Sequence, residues 1–226
     1  MIGIFDSGVG GMAALGEVRR LLPKSDVIYL ADRKNAPYGT KSEDELTELV
    51  KRDIKRLREL GATDILVACC TASTVFKNLD VEEQQGVIPI ISPSALIAAK
   101  LKKITVIATE HTVRSSAFSL AIKALSPGAS VEEIPCQSLV SLVESGERDG
   151  NISRECEDIL ISVASSAKEH ASEGIILGCT HFSHLEKTIK KLLPRVKIIN
   201  PARIGASELA SRARDTVGNG RITYTE

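Results

Sequence analysis

Residues 65–74 read ILVACCTAST, and residues 175–183 read IILGCTHFS. In each stretch, four small or apolar residues precede a cysteine, and a threonine follows within two positions. A short apolar run that ends in small polar residues predicts a buried strand of a parallel sheet, followed by the start of a helix. Two such stretches in one chain of 226 residues predict a fold that is built twice.

Strand-like runs alternate with amphipathic segments along the rest of the chain, which is typical of βαβ units and a parallel sheet. The clearest amphipathic segments span 43–60 and 152–170. The former is preceded by a capping-box pair, Ser42 and Glu45, and is followed by Gly61 as its stop. The predicted strands lie near residues 2–5, 26–31, 64–68, 87–91, 104–108, 131–134, 174–178 and 196–200.

The second four strands follow the first four at a nearly constant offset of about 100 to 110 residues, as expected for an internal repeat. We therefore predict an α/β fold made of two similar parallel-sheet halves related by pseudo-twofold symmetry. The active site is expected in the cleft between them. A first domain would comprise residues 1–92 plus 203–226, and a second would comprise 93–202.

Composition excludes several classes of partner. The 29 basic and 29 acidic side chains balance, and the chain has no Trp and only three Tyr and four Phe. Neither a basic stripe nor a base-stacking platform is therefore expected, and nucleic acid is excluded as the primary partner. The most apolar region is interrupted by Pro93 and three lysines, so no membrane span is predicted.

The N-terminal residues lack the features of a secretory signal, which predicts a cytoplasmic protein with reduced thiols. Five cysteines, an odd number, also argue against a disulfide framework. We expect Cys136 and Cys156 to be packing residues. The other three lie at the ends of predicted strands.

Cys69 and Cys179 both fall at carboxyl ends of predicted parallel strands, which is where such sheets bind ligands. If the halves face each other, the two thiols approach one ligand from opposite sides. Opposed acid/base groups suit the inversion of a stereocentre, in which one thiolate removes a proton and the other thiol donates one. We expect the following helices to lower the thiol pKa values, and Asp6 and His181 to steer the protons.

No cofactor or metal is predicted. Neither a phosphate-binding G-x-x-x-x-G-K-[ST] loop nor an H-E-x-x-H motif occurs, and Cys179 and His181 are too close in sequence for a structural zinc pair. Two loops are expected at the site instead. The glycine-rich turn within IGIFDSGVGG (2–11) would hold a carboxylate on its N–H groups, and APYGTKS (36–42) would close over it.

These segments, with ATEHTVRSSAF (108–118) and GCTHF (178–182), stand in the order found in the glutamate racemases, and the chain resembles these cofactor-independent enzymes of the aspartate/glutamate racemase superfamily. The histidine at 181 resembles the glutamate branch rather than the aspartate branch. The resemblance implies glutamate as the small-molecule substrate and D-glutamate supply for peptidoglycan as the role. A homodimer is left open.

The resemblance also implies residue roles. Cys69 would serve the D-enantiomer and Cys179 the L-enantiomer, with Asp6 and His181 assisting. The substrate would be held by Ser7, Pro37, Tyr38, Gly39, Cys70, Thr71, Thr112, Thr180 and Glu144.

Three positions depart from the family pattern. Cys70 stands where the family typically has Asn, which exchanges an amide donor and acceptor for a weakly bonding thiol. Phe182 replaces a usual Tyr, and Asn200 stands where Asp is frequent. None of these departures touches the two thiols.

Alternative functions use some of the same residues. The sequence Gly8–Ala13 fits G-x-G-x-x-A, and Asp32 follows the second predicted strand, as in nicotinamide-dependent dehydrogenases. A thiol hydrolase would use Cys69, His181 and Asp6 as a triad.

A third alternative is a binding module of the same superfamily, with no turnover or with altered specificity because of Cys70. The hydrolase makes no use of Cys179, and the binding module would not exchange the substrate's α-proton. Each alternative is therefore open to a simple test.

Overall fold

The computed structural model describes residues 1–213 and 218–226. Within these residues the strands are β1 Ile2–Asp6, β2 Val27–Ala31, β3 Asp64–Val67, β4 Val87–Pro89, β5 Lys103–Ala108, β6 Ser130–Pro135, β7 Gly174–Gly178, β8 Lys197–Ile199 and β9 Ile222–Thr225. The α-helices are α1 Met12–Leu21, α2 Glu43–Glu59, α3 Cys70–Ser73, α4 Val81–Gln84, α5 Ile91–Ala98, α6 Glu110–Ser115, α7 Ala117–Leu125, α8 Gln137–Glu144, α9 Arg154–Glu169, α10 Glu186–Leu192 and α11 Pro201–Arg212. Short 3₁₀ helices cover Arg33–Asn35, Tyr38–Thr40, Phe76–Asn78 and Thr180–Leu185.

Two sheets, parallel at every strand pair, confirm the predicted fold class. The first sheet has the order β4-β3-β1-β2-β9, and the second has the order β6-β5-β7-β8. Read as β8-β7-β5-β6, the second sheet repeats the order β4-β3-β1-β2 of the first. The two halves of the chain therefore share one topology, as the offset between the predicted strands indicates.

The eight predicted strands match β1 to β8 within two residues at each end. The sequence did not predict β9, which pairs in parallel with β2 and brings the last residues back to the first sheet. The domain boundaries at 92 and 203 stay a prediction, and residues 214–217 of the proposed C-terminal return lie outside the described residues.

Helix α2 begins and ends close to the predicted positions. The Ser42 side chain accepts a hydrogen bond from the Glu45 N–H, but the Glu45 carboxylate pairs with Lys41, so only half of the predicted capping box forms. Gly61 follows the helix at φ +95°, a conformation that glycine adopts without strain.

The halves are held together by a shared apolar core. One cluster of buried residues includes Ile4 and Leu66 of the first sheet together with Val106 and Ile176 of the second. Helix α11 packs on α1 and α5 along this junction. Among the described residues, no helix has the length and apolar character needed to cross a membrane.

Candidate active site

The two cysteines singled out by the sequence follow equivalent strands and face one cavity. Cys69 follows β3 and caps α3, and Cys179 follows β7 and precedes the turn Thr180–Leu185. The cavity has a volume of about 30 Å³. It is lined by Ser7, Gly8, Ala36, Pro37, Tyr38, Gly39, Cys69, Cys70, Thr71, Thr109, Gln137, Val140, Glu144, Cys179, Thr180 and His181.

The thiol of Cys69 lies among neutral hydrogen-bonding groups. Its Sγ is 3.5 Å from Ser7 Oγ and accepts a 3.5 Å hydrogen bond from the Ala72 N–H. Burial, and next the negative charge of Asp6, raise the Cys69 pKa to about 11. The N–H of Ala72 and the contact with Ser7 lower it by less.

The thiol of Cys179 lies beside an imidazole. Its Sγ is 3.5 Å from His181 Nδ1, and His181 Nε2 is 3.3 Å from Glu144 Oε1. Nε2 and Oε1 are within ion-pair distance, but they are not aligned for a hydrogen bond. The buried Nε2 therefore has no hydrogen-bond partner among the described residues. Burial raises the pKa of Cys179 well above the ordinary thiol value, and a hydrogen bond with the His181 backbone opposes the rise.

The Ala72 N–H at the start of α3 lowers the Cys69 pKa as expected, but burial outweighs it, and the net pKa of each thiol is raised rather than lowered. The helix after Cys69 has only four residues, and a 3₁₀ turn follows Cys179. Such short elements contribute little dipole, whereas both thiols are buried and lie near a buried carboxylate. A thiolate here therefore needs a compensating positive charge or a base.

Asp6 lies beneath the cavity rather than in its wall. Its carboxylate is fully buried, accepts a 3.0 Å hydrogen bond from the Gly8 N–H and accepts a 3.4 Å hydrogen bond from Thr180 Oγ1. Because Thr180 belongs to the second half, this carboxylate links the two halves directly below the thiols.

The glycine-rich turn is a packing site between the halves. A Cβ at Gly10 would lie 2.7 Å from His181 Nδ1 and would also clash with the Thr180 hydroxyl. Within this turn, the Gly8 N–H already donates to the Asp6 carboxylate. The expectation that the turn holds a substrate carboxylate is therefore not supported at Gly8.

Tyr38 lines the cavity, but its hydroxyl points the other way. It donates a 2.6 Å hydrogen bond to Asp32 Oδ2 and lies 3.0 Å from Asp53 Oδ2, and Arg52 bridges the two carboxylates at 2.7 Å each. Burial and the charge of Asp32 raise the Asp53 pKa to about 6. This network holds the loop around Pro37 and Gly39.

The network also bears on the dehydrogenase alternative. The Asp32 carboxylate, which would have to bind a ribose, is already occupied by Tyr38, Arg52 and Asn35. The glycine turn is filled by the second half. Neither feature is therefore available in the form that a dinucleotide site needs.

A chain of hydroxyl groups joins the halves on another side of the cavity. Thr71 Oγ1 is 3.1 Å from Thr109 Oγ1 and 3.3 Å from Thr112 Oγ1. Thr109 lines the cavity, although the sequence did not single it out. Thr112, which the sequence did single out, does not line it. Thr109 caps α6 by accepting a bond from the Thr112 N–H, so a helix-start signal could have identified it.

The structure also shows where the other three cysteines and two residues of α8 lie relative to the cavity. Cys70 belongs to the apolar core shared by the halves and also lines the cavity. Cys136 and Cys156 lie in the apolar core of the second half. Gln137 and Val140, at the start of α8, line the cavity and had no local motif to reveal them.

Within residues 1–213 and 218–226, no group of three or more His, Cys, Asp or Glu side chains is arranged to hold a metal ion. The described cavity carries hydroxyls, thiols, one imidazole, one amide and one carboxylate at its wall. This set can move protons and hold a small polar molecule.

Comparison with known proteins gives one consistent family. Residues 14–209 match the family model described as Asp/Glu/hydantoin racemase. The glutamate racemase of Limosilactobacillus reuteri (strain DSM 20016) is 37% identical over 205 residues, which are 89% of this chain and 76% of that protein.

Solved structures agree. The glutamate racemase of Francisella tularensis subsp. tularensis SCHU S4, crystallised in complex with D-glutamate, superposes with a TM-score of 0.89 at 30% identity, over 99% of this chain and 86% of that one. The aspartate racemase of Picrophilus torridus shares the fold, with a TM-score of 0.69 at 18% identity over 96% of this chain and 95% of that one.

Proposed function

The chain belongs to the Asp/Glu/hydantoin racemase family and is an amino-acid racemase, and we propose that it interconverts L- and D-glutamate by moving the α-proton between two cysteine thiols. The observation that carries this proposal is the pair Cys69 and Cys179, which reach one cavity from equivalent positions in two facing halves. Hydroxyl pairs also follow equivalent strands here, but only a thiol is acidic enough to exchange a proton with carbon near neutral pH.

In the proposed reaction, the thiolate of Cys179 takes the α-proton of L-glutamate, and the electron pair stays on the α-carbon. The thiol of Cys69 then donates its proton to the opposite face, which gives D-glutamate. The enzyme is left with Cys179 as thiol and Cys69 as thiolate. That form is the one that acts on D-glutamate in the reverse direction, so proton number balances over both directions.

Burial raises the pKa values of both thiols and thereby favours their protonated forms, so the proposed mechanism has the substrate help to activate them. The α-ammonium of glutamate brings a positive charge next to a thiol and lowers its pKa. At Cys179, His181 is within reach to accept the thiol proton. At Cys69, no described base touches the sulfur, and the negative charge of Asp6 favours the protonated thiol, which is the form that donates its proton when L-glutamate is the substrate.

Glutamate is the proposed substrate because the relatives with 30% identity or more are glutamate racemases. A cavity of about 30 Å³ holds a water molecule or two rather than an amino acid. We therefore propose that the halves separate to admit substrate and close around it. Supply of D-glutamate for peptidoglycan is the proposed role in the cell.

The test is proton NMR of L-glutamate and of D-glutamate in D₂O, with optical rotation followed in parallel. We expect loss of the α-proton signal with inversion in both directions. Cys69→Ser and Cys179→Ser should each reduce racemisation by at least about 10²- to 10⁴-fold, the usual range for a lost acid/base group.

Cys156→Ala is the matched control, because it removes a buried thiol that lies outside the cavity. A hydrolase would keep its activity in Cys179→Ser, and a binding module would bind glutamate without exchange in any variant. Full racemisation by either cysteine variant would contradict the two-thiol proposal.

A further inference from the structure

The first residue of α8, Gln137, has an unexplained buried polar atom at the cavity. Its Oε1 is shielded from water and has no hydrogen-bond partner among the described residues. The residue lines the same cavity as the two thiols. A buried polar atom without a partner is uncommon in folded proteins, and at a cavity it indicates a ligand that completes the bond.

The Gln137 amide belongs to the second half and lies against a loop of the first half. Gln137 follows β6 of the second half, and its Oε1 lies 3.0 Å from where a Cβ would stand on Gly39 of the first half. The next nearest atom to that Cβ is Thr109 Cβ, at 3.5 Å. The amide therefore lies against the Pro37–Gly39 loop, where a side chain at position 39 would crowd it.

The cavity has few donors for an anionic ligand. None of the described lining residues is a lysine or an arginine, and Glu144 adds a negative charge at the wall. Each carboxylate of a bound amino acid must therefore be held by neutral N–H and O–H groups. Gln137 is the one amide side chain in the lining set, whereas Cys70 offers only a weak thiol donor.

We propose that Gln137 is a substrate-binding residue whose side-chain amide hydrogen-bonds a carboxylate of the substrate opposite Gly39. A half-turn of the amide exchanges Oε1 and Nε2, which directs an N–H donor to this position at no cost in shape. The proposal rests on the proposed function, since it takes glutamate as the ligand. It adds a specificity-determining contact from the second half.

The experiment compares two replacements of nearly equal size, Gln137→Met and Gln137→Glu, in the intact chain. Racemisation of L- and D-glutamate gives kcat and KM, and circular dichroism and thermal unfolding check the fold. Loss of a neutral hydrogen bond in Gln137→Met should raise KM by about 3- to 10-fold. In Gln137→Glu, repulsion between two carboxylates should raise KM further, by more than about 10-fold.

In both variants kcat should change less than KM, because the amide does not touch the transferred proton. Ser138→Ala, the next and exposed residue of the same helix, is the control and should leave both constants unchanged. A KM within about twofold of the parent in both Gln137 variants would overturn the inference. So would a lower KM in Gln137→Glu, which would indicate an ammonium contact.

The two proposals fail in different ways. If the parent protein racemises glutamate and the Gln137 variants match it, the inference falls and the proposed function stands. If the parent protein neither binds nor racemises glutamate, both fall. Binding of D-glutamate to Cys179→Ser, with and without Gln137→Met, repeats the comparison without turnover.

Discussion

Cys69 and Cys179 occupy equivalent places in two halves of one topology, yet their surroundings differ. Cys69 contacts a hydroxyl and a backbone N–H, from Ser7 and Ala72. Cys179 contacts the His181 imidazole, whose other ring nitrogen lies near the Glu144 carboxylate. The repeat therefore supplies the position of each sulfur, and the local sequence supplies its chemistry.

The two sides of the site also differ beyond the residues that touch the sulfurs. On the Cys69 side, the loop holding Tyr38 is anchored by the buried carboxylates of Asp32 and Asp53, which the half-exposed Arg52 bridges. On the Cys179 side, the described contacts of His181 are the thiol, Glu144 and the glycine turn. We infer that the first half fixes the geometry of the site, and that the second half contributes its imidazole.

The largest effect is expected from replacing the imidazole. His181→Asn should lower kcat/KM for glutamate by about 10²-fold, because Cys179 loses its neighbouring base. Ser7→Ala is the matching change at Cys69. It should lower kcat/KM by only about 3- to 10-fold, because it removes one neutral hydrogen bond. Steady-state racemisation rates measure both.

Isotope effects show which thiol is affected. The enantiomers have equal free energies, so any variant must show equal kcat/KM values in the two directions. In His181→Asn, the deuterium isotope effect should rise with α-deuterated L-glutamate and fall with the D-isomer, since transfer at Cys179 becomes the slower step. Equal isotope effects in the two directions would show that His181 does not serve Cys179 alone.

A second change tests how the halves meet. Gly10→Ala should lower the free energy of unfolding by about 1–3 kcal/mol, as overpacking usually does, and should displace Thr180 and His181. Chemical denaturation and the racemisation rate are the measurements. Gly16→Ala is the control, because no atom lies within 4 Å of its Cβ.

In the control, alanine replaces a glycine inside α1, which should leave stability unchanged or raise it by about 0.5–1 kcal/mol. A Gly10→Ala protein as stable and as active as the Gly16→Ala protein would contradict the close packing of the glycine turn on the second half.

The smallest effect concerns pH and the buried network. Burial raises the pKa of Asp53 from 3.8 to about 6, so its protonated form favours the folded state. That contribution is fully present below the unfolded pKa and is lost as pH rises through the folded value. Between about pH 4.5 and about pH 7.5, the loss amounts to about 2 kcal/mol.

Asp53→Asn should lack this loss while keeping an oxygen acceptor for Tyr38. The measurement is urea unfolding of both proteins at the two pH values. On going to the higher pH, the free energy of unfolding should fall by about 2 kcal/mol more in the parent than in the variant. Parallel pH profiles would contradict the raised pKa.

Sequence reasoning went furthest where the signal is local. The apolar runs that end in Cys69 and Cys179, and the repeat of the strand pattern, predicted eight strands and the facing halves. The short strand β9 was missed because ITYT has only four residues, and its partner β2 is about 195 residues earlier. The roles of the two thiols stay predictions.

The site was predicted less completely than the fold. Residues within motifs, such as Ser7 and Thr180, were named in advance. Gln137 and the ion pair of Arg52 with Asp53 carry no motif, since they reach the site through helices that pack from elsewhere in the chain. The direction of the Tyr38 hydroxyl was likewise beyond the sequence, because it depends on two carboxylates brought together only by folding.

The strand β9 has a consequence for the order in which the molecule is made. Strands β5 to β8 span residues 103–199 without interruption, so a ribosome releases everything their sheet needs in one contiguous piece. The first sheet, in contrast, waits for residues 222–225 to cover the outer edge of β2. During synthesis, the half that carries Cys179 can therefore finish folding while the half that begins the chain still has an open edge.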